Sequence, residues 1–225
     1  MPNGPTFAMV LYPQLTHLDL TGPFEVFGRI PGASVRTVAA DRSPVISDTG
    51  LRIVPDLTLE EAGTFDVVCV PGGPGVNAML EDQAMLGWLA SRAPAARFMT
   101  AVCSGSLILG AAGLLVRYRA ASHWLSRSLL SHFGAIPVDE RVVIDRDRIT
   151  GGGVTAGIDF GLVVAARLAG EDAAKRIQLM LEYDPAPPFD AGSPKRADPE
   201  TVAAVTAQGA KYLEARSQIA ARAGA

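Results

Sequence analysis

The sequence predicts an α/β fold: a single-domain, doubly wound, mostly parallel sheet sandwiched by helices. Val67–Val70 and Phe98–Val102 are continuous apolar runs rather than alternating ones, which is the pattern of strands covered on both faces. Each run ends abruptly in small residues, Pro71-Gly72-Gly73 after the first and Cys103-Ser104-Gly105 after the second. Helical patterns separate the strand candidates along the chain, and that interleaving marks a doubly wound sandwich.

The elements follow in order. Residues 6–11 predict the first strand, with a loop at 12–17 and a helix over 21–29. Thr21 is placed to cap that helix, and Pro23 suits its first turn, where a missing N–H costs nothing. Residues 35–40 predict the next strand, and 45–47 with 52–54 flank Asp48-Thr49-Gly50 as a small hairpin. Thr58-Leu59-Glu60-Glu61 has capping-box spacing and predicts a short helix closed by Gly63. Asp82 caps a helix that runs to Arg92. Later come a helix over 122–130, strands over 142–144 and 149–150, and helices over 155–168 and 171–181. The proline-rich stretch 184–199 sets a minor boundary, dividing a main domain (residues 1–194) from a helical appendage (195–225) whose helix starts at Asp198-Pro199-Glu200 and runs to Arg222.

Composition excludes several classes. With 225 residues, 48% hydrophobic and 19% charged, the chain has ample apolar material for a core and is not a disordered segment. Lys and Arg number 20 against 23 Asp and Glu, a net charge of −3, and no basic cluster occurs, so nucleic acid is not an expected partner. Two cysteines, Cys69 and Cys103, are too few for a disulfide framework and point to a reducing, cytoplasmic compartment. The start, Met1-Pro2-Asn3-Gly4-Pro5, has neither the basic region nor the long apolar run of a signal peptide. Residues 98–116 carry no charge, yet they hold Thr100, Cys103, Ser104 and Ser106 with Gly105, Gly110 and Gly113. Hydrocarbon would leave those hydroxyls unsatisfied, so the stretch reads as a buried strand, a sharp turn and a buried helix, with no membrane span.

Three constellations have the residue types for chemistry. Cys103 lies between a buried strand and an apolar helix, the setting of a nucleophile elbow. Turn N–H groups and a helix N-terminus there are expected to lower the thiol pKa, and Ser104-Gly105-Ser106 argues against burial. The alternative is a buried structural cysteine, which is the reading for Cys69. Successive glycines in Pro71-Gly72-Gly73-Pro74-Gly75 let backbone N–H groups of Gly72 and Gly73 face a ligand as an oxyanion hole; a plain turn is the alternative. Neither a Walker-A lysine nor a dinucleotide fingerprint follows, which disfavours nucleotides. Gly151-Gly152-Gly153 reads as a plain turn. Asp19, held between Leu18 and Leu20, reads as a semi-buried carboxylate of raised pKa that donates a proton beside a thiolate, or else as a helix-cap partner. His17, His123 and His132 lack metal-ligand spacing, so no metal is expected. His123 is a candidate base for the thiol, with a helix-capping role as the alternative.

Together AVCSGS (101–106), PGGPG (71–75) and LDLTGP (18–23) resemble the ThiJ/PfpI superfamily, whose fold is flavodoxin-like and glutamine-amidotransferase-like. The likeness extends from residue 6 to about 194. Within it, HLDLTGP (17–23), ERVV (140–143), TGGGVTAGID (150–159) and QLMLEY (178–183), with PAPPF (185–189), are most similar to the isonitrile hydratases. That resemblance implies a lyase that adds water to an isonitrile, giving an N-substituted formamide through a cysteine thioimidate. It implies a nucleophile at Cys103, an acidic partner at Asp19, a small-molecule isonitrile substrate, no cofactor and a homodimer, which would also cover the apolar stretch 15–20. Ser104 stands where those hydratases carry threonine, keeping the hydroxyl and losing the methyl, and it occupies the place of the histidine in protease-like members. Two alternatives come from other classes: a redox or stress-response protein with an oxidisable Cys103, and a ligand-sensing regulator domain. For the regulator, only 31 residues follow Pro194 and they lack a basic face.

Overall fold

Parallel strands cannot be joined by tight hairpins, so each pair requires a crossover, and helices supply most of them in this chain. The computed structural model describes residues 4–223; Met1–Asn3, at the start read above as lacking a leader, lie outside the described residues, as do the last two. The strands are β1 (Thr6–Val10), β2 (Ser34–Ala39), β3 (Val45–Ile46), β4 (Arg52–Ile53), β5 (Leu57–Thr58), β6 (Val67–Val70), β7 (Phe98–Val102), β8 (Arg119–Ala120), β9 (Ile136–Pro137), β10 (Val142–Asp145) and β11 (Arg148–Gly151). The helices are α1 (His17–Phe27), α2 (Val76–Met79), α3 (Gln83–Arg92), α4 (Gly105–Ala111), α5 (Ala156–Ala169), α6 (Glu171–Met180) and α7 (Pro199–Ala223), with a 3₁₀ segment at Arg127–Phe133.

Seven strands form one sheet in the order β10-β11-β7-β6-β1-β2-β5, parallel except for the β10–β11 pair. From β1 the chain winds outward through β2 to β5, then returns to β6 and winds the other way through β7 to β11. The direction of winding reverses between β1 and β6, the place where a doubly wound sheet opens a crevice at its carboxyl edge. The centre of the sheet is dry: every residue of β6 is fully buried, as are Phe7–Val10 and Met99–Val102. On one side α1 packs against α5, with the Phe7 and Phe27 rings stacked at 4.4 Å and Phe160 meeting Phe27 edge-on at 6.1 Å. Asp82 caps α3 as the sequence predicts, accepting from the N–H groups of Ala84 and Met85 at 3.0 Å. Among the described residues no helix is long and apolar enough to cross a membrane.

Four local expectations need correction. Helix α1 starts at His17, not Thr21. Its cap position is Thr16, fixed by its N–H to the Gly72 carbonyl (2.9 Å) and its hydroxyl to Asp48 Oδ2 (2.6 Å). Thr21 therefore lies inside the helix, its hydroxyl bonded back to the His17 carbonyl, and Pro23 is internal. Thr58 and Glu61 do exchange the two capping-box bonds (2.9 and 3.2 Å), but these close a turn after β5 and no helix follows. The helix expected over 122–130 is the 3₁₀ segment Arg127–Phe133, which ends at Gly134 in the left-handed region. The stretch 15–20 is not an exposed apolar surface, because Leu15 and Leu20 are buried in the chain's own core.

Cys69 sits in the middle of β6, in register with Met9 on β1 and Thr100 on β7, and burial pushes its thiol up to about 12. It is core. Cys69→Ala is expected to cost roughly 1 kcal/mol by leaving a small void, which thermal unfolding would read as a fall in Tm of about 2–4 °C.

Candidate active site

Three neighbouring strands, β7, β6 and β1, deliver their carboxyl ends to the same crevice, and each brings one part of the site. From β7 the chain turns straight into α4 through Cys103, whose φ of +58° lies in the left-handed region that a residue with a Cβ rarely occupies. The conformation is held on both sides. The Cys103 N–H reaches the Gly151 and Gly152 carbonyls at 3.1 and 2.8 Å, and its own carbonyl accepts from the Ser106 and Ser122 hydroxyls at 3.1 and 3.0 Å. A Cβ on Gly105 would sit 2.3 Å from the Val70 carbonyl oxygen, so the turn closes only around glycine. The 151–153 stretch is thus more than the plain turn expected of it, since two of its carbonyls hold the elbow.

From β6 comes the glycine loop. The Gly72 N–H donates to Asp19 Oδ2 at 2.9 Å, and the Gly73 N–H donates to Ser104 Oγ at 3.1 Å. Both N–H groups are therefore engaged by side chains. The free oxyanion donors expected of Gly72 and Gly73 are instead a clip that binds the acid to the elbow. The clip is tight: a Cβ on Gly72 would stand 2.6 Å from the Ser104 nitrogen and 2.9 Å from Asp19 Oδ2. Behind it the Tyr12 hydroxyl, just past β1, donates to the Pro71 carbonyl at 2.6 Å.

From the chain after β1 comes Asp19, in the first turn of α1 and fully buried. Burial raises its carboxyl pKa to about 7, against the pull of the Gly72 N–H and the Cys103 thiol. Its Oδ1 has no hydrogen-bond partner. The Cys103 thiol is likewise pushed well above its ordinary value, first by burial and then by the Asp19 charge, while the Ser104 N–H works the other way. This corrects two expectations. The thiol pKa is raised, not lowered, because the elbow is roofed over and faces a carboxylate. The flanking serines do not keep the cysteine out of the interior, since Cys103, Ser104 and Ser106 are all at most 5% exposed. What remains open above the sulfur is a cavity of about 180 Å³.

His123 lines that cavity, and its Nδ1 accepts from the Leu125 N–H at 3.3 Å rather than capping a regular helix. Burial and then the Arg216 charge lower its pKa, which keeps it neutral at pH 7. His17 bonds to Thr49 on the β3–β4 turn. Among the described residues no group of three His, Cys, Asp or Glu is arranged to hold a metal ion.

Sequence reasoning missed Arg216 altogether. It sits on α7, in the segment read as an appendage, and reaches into the same cavity as Cys103. The signal was available: Arg216 falls at helical spacing with Leu213, Ile219 and Ala220, a charge on an otherwise apolar stripe.

The DJ-1/PfpI family pattern matches residues 6–167. The chain is 49% identical to the isonitrile hydratase of Pseudomonas putida over 96% of this chain and 95% of that protein. It is 28% identical to the transcriptional regulator GbdR of Pseudomonas aeruginosa over 81% of this chain but only 52% of the regulator. The crystal structure of a ThiJ/PfpI family protein from Pseudomonas syringae superposes with a TM-score of 0.94 at 46% identity, covering 97% of this chain and 91% of that one. An elbow cysteine on a doubly wound sheet, together with a family match over most of its length, means that the chain belongs to the DJ-1/PfpI family.

Proposed function

We propose that this protein is an isonitrile hydratase, an enzyme that converts R–N≡C and water to the N-substituted formamide R–NH–CHO. Near-half identity to a hydratase along almost the whole chain supports the reaction. The observation that carries the mechanism is the buried Asp19–Cys103 pair, which holds its protons in two widely separated steps. Between them the pair keeps a single proton. Above neutrality Asp19 is the ionised member, and its Oδ1, which has no hydrogen-bond partner, is an oxygen free to accept a proton. The pair's own proton stays on the thiol, and the Asp19 carboxylate beside it is the base that takes it when sulfur attacks. This is the form the reaction needs.

Asp19 takes the Cys103 proton as sulfur attacks the terminal isonitrile carbon and then delivers it to the same carbon, forming the thioimidate R–N=CH–S–Cys. Water adds to that carbon and the nitrogen takes up a proton, giving R–NH–CH(OH)–S–Cys. The C–S bond then breaks, the hydroxyl proton passes through Asp19 to the sulfur, and the formamide leaves with the thiol and the Asp19 carboxylate restored. Gly72 and Gly73 keep acid and nucleophile in register, and the Ser104 N–H favours the negative sulfur. Every step is carried by side chains and water. Burial of Cys103 counts against reversible oxidation as its main role. A homodimer in the cytoplasm belongs to the same reading. Two free thiols fit a reducing compartment, and Leu51, Val54 and Phe189 are exposed apolar side chains that a partner would cover. Sedimentation giving the mass of one chain would remove the dimer.

A variant series tests the mechanism. Cys103→Ala is expected to abolish formamide production while circular dichroism stays native. Asp19→Asn keeps the volume and an acceptor for the Gly72 N–H but has no proton to give, so turnover falls about 10²–10⁴-fold. Ser104→Thr keeps the hydroxyl and leaves turnover near that of the parent. Near-normal turnover in Asp19→Asn would reduce Asp19 to a structural partner of Gly72.

The pH profile follows from the same pair. The doubly protonated form loses its first proton near pH 7, where Asp19 titrates, and the second only well into the alkaline range. The working form is thus absent in acid and present above neutrality. On this basis kcat/KM rises through about pH 7 and holds on the alkaline side; a profile that falls through that pH contradicts the assignment.

A further inference from the structure

We propose that Arg216 is a positioning residue for the nucleophile: a buried cation without a carboxylate partner that ties α7 to the glycine loop and sets its positive charge toward the Cys103 sulfur. Its guanidinium donates from Nε to Asn77 Oδ1 (2.7 Å), from one terminal nitrogen to Ser126 Oγ (2.8 Å) and from the other to the Gly73 carbonyl (3.0 Å). These partners are an amide, a hydroxyl and a carbonyl, all neutral. None of the ion pairs found among the described residues involves Arg216, although its side chain is only 5% exposed.

Burying an arginine without a counter-ion is expensive, and an apolar residue would pack this position of the stripe at no such cost. The charge is matched only when an anion forms in the cavity. The titratable groups facing it are few. Tyr12, past β1, is held neutral by burial and donates its hydroxyl to Pro71. His123, on the loop before the 3₁₀ segment, is neutral. Asp48, beyond β3, accepts from the Thr16 hydroxyl, and Asp19 on α1 accepts from the Gly72 N–H. Cys103 lines the same cavity as the guanidinium, together with neutral His123 and with Tyr212 on α7 itself, and of these the thiol is the nucleophile. The bonding path is continuous as well: Arg216 holds the Gly73 carbonyl, whose residue donates through its N–H to Ser104 beside the sulfur. Arg216 thereby works on the thiolate in two ways, through its field and through the loop that sets the elbow. It offsets part of the burial and Asp19 charge that push the thiol up.

The chemical role assigned to the thiolate rests on the hydratase reading, but the relation between Arg216 and Cys103 can be measured with no isonitrile present. The test is the pH dependence of Cys103 alkylation by iodoacetamide, followed by mass spectrometry of the Cys103 peptide, in the parent, Arg216→Gln and Arg216→Lys. Glutamine can still donate to Gly73 but carries no charge. Its titration is expected to move up by about one pH unit, slowing alkylation at neutral pH about tenfold. Lysine keeps the charge and loses the fork of hydrogen bonds, so Tm falls while the titration stays where it is in the parent. In the formamide assay Gln lowers kcat with little change in KM. Coincident titrations of parent and Gln would overturn the proposal. So would a Lys variant whose titration moves up by about one pH unit from the parent, a result that decides the matter even if Gln fails to fold. A parent that forms no formamide while the Gln shift is present removes the hydratase reading and leaves this inference standing; an active parent with no Gln shift does the reverse.

Discussion

The hydrogen bond from the Gly72 N–H to the Asp19 carboxyl joins the two halves of the doubly wound sheet at the point where its winding reverses. Asp19 belongs to the β1–α1 half, Gly72 to the loop that opens the other half, and Cys103 to the next strand along. The bond leaves no space for a Cβ on Gly72 and buries Asp19 completely. From that confinement come the raised carboxyl pKa, the raised thiol pKa and the close approach of loop and elbow. A glycine with φ of +133° follows at once, so that the loop can turn its next N–H onto Ser104.

The elbow and the acid depend on each other through this frame. Cys103 keeps an unfavourable backbone angle because the carbonyls of Gly151 and Gly152 and the hydroxyls of Ser106 and Ser122 saturate its peptide groups. Three separate segments thus meet on one residue, and none of them is adjacent to it in sequence except α4. Such a site is stiff. Acid, thiol and cavity are in place before any substrate arrives, and little needs to reorganise for proton transfer.

Much of the fold was legible. Val67–Val70 and Phe98–Val102 announced buried parallel strands, and Asp82 marked a helix start by its side chain. Cys103, Asp19 and the glycine loop stood out because their types and settings have few uses. The misreadings share a cause. Thr21 and Thr58-Glu61 have the local chemistry of helix caps, but the start of α1 is set by long-range bonds from Thr16 to Gly72 and Asp48, which no local pattern displays. The direction of the thiol shift depends on burial, and burial at the elbow is produced by segments far away in sequence. The apolar stripe of α7 marks Arg216 as a charge on a buried face, but what it holds is not legible locally, since its partners Gly73, Asn77 and Ser126 are distant residues.

The tie between Arg216 and Gly73 spans 143 positions. A ribosome makes the chain from its N-terminus, so the sheet, the elbow and the acid are all synthesised before the helix that walls the cavity. Until α7 emerges and docks, the crevice over the sulfur is open to solvent and lacks its cation. Assembly of the reactive centre is therefore coupled to the synthesis of α7, and a nascent or prematurely terminated chain without that helix carries a thiol that is present but not yet armed.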